Sequence, residues 1–244
     1  MEQVNEEKPG LWATIKSIEG KTWMLILTLL SVGTGQPAVI GQAGNLLNIK
    51  YHVSMEQAGG IMGRYQFITA GVKPFAVIFA YYFGSRGVVI AFSSIISVVA
   101  VFCMGMAGTS EADLVKAMMI ILPVMTGLYF PIFFNAVSLT TTKDNVAVAM
   151  TFCIVMAGFG QAVIPTAMGI ISDSQTPGSY TNAYLFLGIY VGLGALFSIV
   201  MLFMDSAGNK VLQRREGVKS LDKELGFVDY GARKKEDTHV NYDT

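Results

Sequence analysis

Six long apolar stretches occupy residues 23–47, 57–83, 87–107, 113–136, 147–171 and 183–204, with only short polar gaps between them. A helix needs about 20 mostly apolar residues to cross the hydrocarbon core of a bilayer. Backbone groups in lipid must be satisfied within the spanning structure, which leaves helices or closed barrels. None of the six stretches alternates with the period of two that barrel strands require. The expectation is an all-α polytopic membrane protein with six transmembrane helices. A polar segment (1–22) precedes the transmembrane domain (23–204) and a polar tail (205–244) follows it.

Charge placement agrees with this. Only 14% of the residues are charged while 52% are hydrophobic, against about 25% charged in a typical soluble domain. The charges gather at the chain ends and in the gaps. The links 48–56, 84–87, 108–112, 138–146 and 172–182 are short and rich in turn formers, so consecutive helices are expected to be antiparallel neighbours. The tail reads either as a short helix or as a solvated extension. Lys8, Lys16, Lys21, Arg86, Lys143 and the basic residues of the tail fall on one side of the membrane, and Lys50 and Lys116 on the other. Positive residues favour the cytoplasm, so both termini are expected there, in a multi-pass protein of the cell membrane (the bacterial inner membrane).

Several function classes have no support. The acidic N-terminus does not read as a cleavable signal peptide. Cys103 and Cys153 lie in apolar runs and read as buried small hydrophobes. The charges of the tail balance, which argues against a nucleic-acid surface. His52 and His239 lie outside the spans, and no span holds a carboxylate pair or a nucleophile in a Gly-x-Ser-x-Gly setting. No enzyme, metal or cofactor is expected.

Arg64 and Lys73 are the charges deep within a span, and both are in the second. An intramembrane charge is costly and marks a functional hypothesis. Arg64 is near enough to one end to snorkel to the headgroups. Lys73 is about ten residues from the other end, or about 15 Å in, and is read as facing an aqueous cavity. Nine residues separate the two, so at about 100° per residue they fall on opposite faces of a straight helix. Pro74 supplies a possible kink. Gln66, Thr69 and Ala80 are read on the Lys73 face, as a polar stripe. Without an internal carboxylate, these cations favour an anionic ligand or a carboxylate from another polypeptide segment. The first, fourth and fifth spans carry Gly, Pro and polar residues near their middles, including Thr34, Tyr129 and Gln161. They are read as interrupted helices lining a cavity with moving walls, although the same small residues also serve helix packing.

The chain resembles the C-terminal six-helix half of a major facilitator superfamily transporter, with nitrate/nitrite-type or organic-anion carriers the nearest in pattern. The resemblance rests on the junction Phe83-Gly84-Ser85-Arg86-Gly87, on the stretch 158–173 with Thr176-Pro177-Gly178-Ser179-Tyr180, and on the pairs Lys73-Pro74 and Arg64-Tyr65. Gly84 and Arg86 match the family's cytoplasmic loop motif, while Tyr81 and Tyr82 stand where it carries an acidic and a basic residue. The resemblance implies two inverted three-helix repeats and secondary transport of a small solute, here an anion, with Lys73, Arg64, Gln66, Thr34, Gln161 and Tyr129 as substrate-binding residues. It also implies a second six-helix half, from a homodimer or a split-gene partner, to close the site within the lipid bilayer. The alternative is a non-transporting membrane subunit or truncated remnant associated with a full-length carrier.

Overall fold

The computed structural model describes residues 15–16, 18–142, 145–174, 176–208 and 210–213. Lys8, Lys143 and residues 214–244 of the tail therefore lie outside the described residues. Six long helices make up the fold: α1 (Gly20–Lys50), α2 (Met55–Phe83), α3 (Arg86–Met106), α4 (Ala112–Thr140), α5 (Val146–Ile171) and α6 (Pro177–Ala207). Five of them are long and apolar enough to cross a membrane. The exception is α2, which has the length but carries Arg64 and Lys73.

All the helices but α3 are longer than their apolar runs, because their polar ends continue the same hydrogen-bond ladder. Helix α1 runs on to Lys50, so the expected loop 48–56 shrinks to residues 51–54. Ser54 caps α2 by accepting from the Gln57 N–H, and a reciprocal Thr176–Ser179 capping box starts α6 six residues earlier than the apolar run. The α2–α3 turn is only Gly84 and Ser85, at φ 66° and 40°. A glycine suits the first of these, since left-handed backbone is costly for other residues.

The interruptions expected in the fourth and fifth spans are absent among the described residues, while the first span does change its winding. Helices α2, α4 and α5 continue through Pro74, Pro123, Pro131 and Pro165. Only α1 changes its winding, in two widened π turns at Leu29–Gly33 and Leu46–Lys50. The first π turn directly precedes Thr34-Gly35-Gln36-Pro37. Pro37 cannot donate to the Gly33 carbonyl and crowds it, and the widened turn takes up that mismatch.

Helix α1 is the central element, touching α2, α4, α5 and α6. Around it α3 lies along α6 and α4, α2 lies on α4, and α5 lies on α1. Close approach depends on glycines. A Cβ on Gly127 would sit 2.7 Å from Cβ of Val72 and 2.9 Å from the Thr69 carbonyl oxygen. One on Gly160 would sit 2.6 Å from Cγ2 of Thr34. Lipid is as apolar as the core, so such contacts, rather than hydrophobic burial, hold membrane helices together.

Side-chain bonds tie each end of the bundle. At one end Thr22 donates to the Thr140 carbonyl (3.0 Å), Lys21 pairs with the fully buried Asp205 (3.5 Å), and the Leu212 N–H donates to Asp205 (3.3 Å). At the other end Lys50 Nζ donates to the Gly105 carbonyl (2.6 Å) and to Oγ1 of Thr181 (2.8 Å). Beside it the Tyr51 hydroxyl donates to the carbonyls of Met104 (2.9 Å) and Ala107 (3.2 Å). Lys50 and Tyr51 together satisfy carbonyls that the C-terminus of α3 leaves open.

Candidate functional site

The buried residues of α2 are Ala58, Tyr65, Thr69, Ala76 and Ala80. Their spacing of seven and four places them in one narrow stripe, and it is this stripe that α4 covers. Tyr65 pairs with the Thr126 hydroxyl (3.0 Å), and Thr69 donates to the carbonyls of Tyr65 (2.9 Å) and Pro123 (3.3 Å). Arg64, Gln66 and Lys73 are all exposed. The expected polar stripe is therefore divided. Thr69 and Ala80 belong to the helix contact, while Gln66 and Lys73 lie on a flank outside it.

Since α2 continues through Pro74, Arg64 and Lys73 stay on opposite flanks of the buried stripe. Lys73 and Gln66, seven residues apart, share one flank. Arg64 lines a separate cleft of about 530 Å³ with Ser54, Glu56, Gln57, Gly60, Ile61 and Lys116. Among the described residues the ion pairs are Lys21–Asp205 and Lys116–Asp113, so neither Arg64 nor Lys73 has a carboxylate partner there. No group of three or more potential metal ligands occurs among the described residues.

The remaining candidates are placed differently. Gln161 is exposed on α5. Thr34 is fully buried, donates to the Leu30 carbonyl and lies 3.2 Å from the Tyr190 hydroxyl, which also donates to Leu30. Two hydroxyls thus converge on a carbonyl of the π turn. Tyr129 is fully buried, and its hydroxyl has no hydrogen-bond partner. Four of the six candidates therefore lie on the surface of the bundle and two in its core. Gly84 makes the turn before α3, and Arg86 is buried as the first residue of α3.

The family model described as Major Facilitator Superfamily matches residues 12–235. The chain belongs to the Major Facilitator Superfamily. No curated protein matches it. A superfamily member is a multi-pass membrane protein that carries out secondary transport of a small solute across the bilayer, and the family is generally non-enzymatic. The polar groups of Arg64, Gln66, Lys73 and Gln161 are exposed, whereas Thr34 is engaged inside the protein.

Some polar groups escaped the sequence reading. Lys50 is 4% exposed and serves as a helix cap rather than a loop charge. Gln36 is fully buried on α1 and donates to Ser97 of α3 (2.8 Å), while its Oε1 has no partner. Tyr51, just beyond α1, has its hydroxyl pushed up to about 12 by burial and by the nearby Glu111 carboxylate, so it remains a protonated donor to α3. The two neighbours Lys50 and Tyr51 stand at the polar end of an apolar run, which was the available signal.

Proposed function

We propose that this superfamily member moves a small anionic solute, and that its six helices form one half of the carrier, closed by a second six-helix bundle. The observation carrying this reading is Lys73. It is a cation about 15 Å along α2 from the nearer end, exposed on a flank of the bundle, with no carboxylate partner among the described residues. A bare ammonium against lipid is costly. An aqueous passage carrying an anion removes that cost, and a second bundle facing α2 and α5 encloses the passage. Gln66 on the same flank, and Gln161 on α5, add neutral hydrogen-bonding groups.

On this reading α2 is the sixth span, tolerated despite its charges because one side faces water. The packing also supports two inverted three-helix repeats. Exchanging α1 with α4, α2 with α5 and α3 with α6 turns the α2–α4 contact into α5–α1 and the α3–α4 contact into α6–α1, and leaves α3–α6 unchanged. Because α1 and α4 run in opposite directions, the axis relating the repeats lies in the membrane plane. The end bearing Lys16, Lys21 and Arg86 is the cytoplasmic one by the positive-inside rule, in the bacterial inner membrane.

Uptake of labelled carboxylates and nitrate into proteoliposomes tests the proposal. Lys73→Ala is expected to lower the rate by about 10- to 100-fold, on the scale of a lost charge-assisted hydrogen bond. Its thermal stability should be unchanged, because the side chain is exposed. Unaltered anion uptake in Lys73→Ala would overturn the anion site.

A further inference from the structure

Arg64 does not belong to the Lys73 flank, and its surroundings have a chemistry of their own. The cleft at the Lys50 end of the bundle, between α2 and the start of α4, has about 530 Å³ of space, enough for a small organic anion. Its lining holds one guanidinium without an ion-pair partner among the described residues (Arg64) and one ammonium (Lys116) that shares its charge with Asp113 at 2.9 Å. Ser54 Oγ accepts from the Gln57 N–H in capping α2, which leaves its O–H as a donor, and the Gln57 side chain adds an amide. Glu56 lies in the first turn of α2, about two turns from Arg64, and has no ion-pair partner among the described residues.

We infer that this cleft is a second oxyanion site, separate from Lys73, in which Arg64 grips a carboxylate or phosphate group. A guanidinium matches such a group with two parallel donors. Lys116 adds a weaker attraction, and Glu56 at the rim repels. The balance favours a singly charged ligand over a doubly charged one, because a second negative group would meet Glu56. The site stands at the Lys50 end of the bundle, on the flank of α2 away from Lys73. A free carboxylate and a lipid phosphate headgroup offer the same chemistry at this depth. The inference deepens the anion-carrier reading, and it is tested by binding rather than transport, so either can fail alone.

The reporter is Gly60→Cys, which lines the cleft and has nothing within 4 Å of its added Cβ. In the full-length protein, maleimide labelling at position 60 is followed by peptide mass mapping. Cys103, which lines a different groove, serves as the internal control. Labelling is measured in phosphatidylcholine vesicles with sodium lactate against matched sodium chloride, and in phosphatidylglycerol vesicles without lactate. Slowing by lactate identifies a free carboxylate as ligand, and slowing by phosphatidylglycerol alone identifies a headgroup; either result supports the site. Arg64→Ala should raise the half-protecting concentration at least about tenfold, and Glu56→Gln should lower it about two- to threefold. Succinate should protect less well than lactate. Labelling indifferent to both ligands, or protection undiminished in Arg64→Ala with an unchanged Cys103 rate, would overturn the inference.

Discussion

Helices α1 and α2 are neighbours in sequence and contrast in the treatment of their polar groups. Along α1, Thr34, Gln36 and Lys50 are all buried, and each finds a partner on the bundle: the Leu30 carbonyl, Ser97, and Gly105 with Thr181. Along α2, Arg64, Gln66 and Lys73 are exposed, and the two cations have no carboxylate partner among the described residues. Only the α2 stripe ending in Ala76 and Ala80 is committed to packing. Polar groups inside a lipid-embedded bundle are tolerated when internally satisfied. Those left over on the outside imply a polar environment supplied by something else. The contrast separates groups that hold the helices together from groups that remain available to a solute.

The strongest way to break the contrast is to spoil the main packing contact of α2, its seam with α4. Gly127→Leu drives a side chain into Val72 and the Thr69 carbonyl, where the backbone cannot move aside cheaply. It is expected to cost about 3 kcal/mol. Thermal unfolding in detergent, followed through the reactivity of the fully buried Cys153, should show a clearly lowered midpoint. An unchanged midpoint would mean that α2 is not held by this seam.

The next test asks whether the Lys50 charge works as a cap. Lys50→Met keeps the length and the apolar stem but loses both bonds to α3 and α6. A loss of about 2 kcal/mol is expected, the scale of hydrogen bonds from a charged donor. Lys73→Met, assayed in parallel, should leave stability alone and lower transport. If both variants behaved alike, the distinction between the two helices would fall.

The smallest effect belongs to Gln36. Gln36→Met removes the bond to Ser97 and also removes the unpartnered Oε1. The two changes oppose each other, so the unfolding midpoint should move by no more than about 0.5 kcal/mol of stability. A large loss would mean that Oε1 has a partner such as a buried water.

The helices were legible because lipid leaves a chain so few ways to satisfy its backbone. The opposition of Arg64 and Lys73 was legible too, since it follows from about 100° per residue in a helix that continues from Met55 to Phe83. The proline readings went astray for a local reason. A proline frees one carbonyl and crowds a turn, which a π turn or a neighbouring hydroxyl absorbs without unwinding the helix. Thr34 and Tyr129 look like cavity residues by type, but tertiary contact buries them, with Gly160 pressed against Thr34. Lys50 was counted as a loop charge because its partner, Gly105, is 55 residues away; its place at the polar end of an apolar run hints at a helix end but not at that partner.

The two-residue turn at Gly84 and Ser85 has a mechanical consequence. Two residues span about 7 Å at most, so the end of α2 there is tethered to the start of α3. With that end pinned, any swing of α2 has its fulcrum at the turn and its widest travel at Met55, some 40 Å away along the helix. A tilt of α2 about that turn would alter the Arg64 cleft, whose walls are drawn from α2 and α4, more than the tethered end.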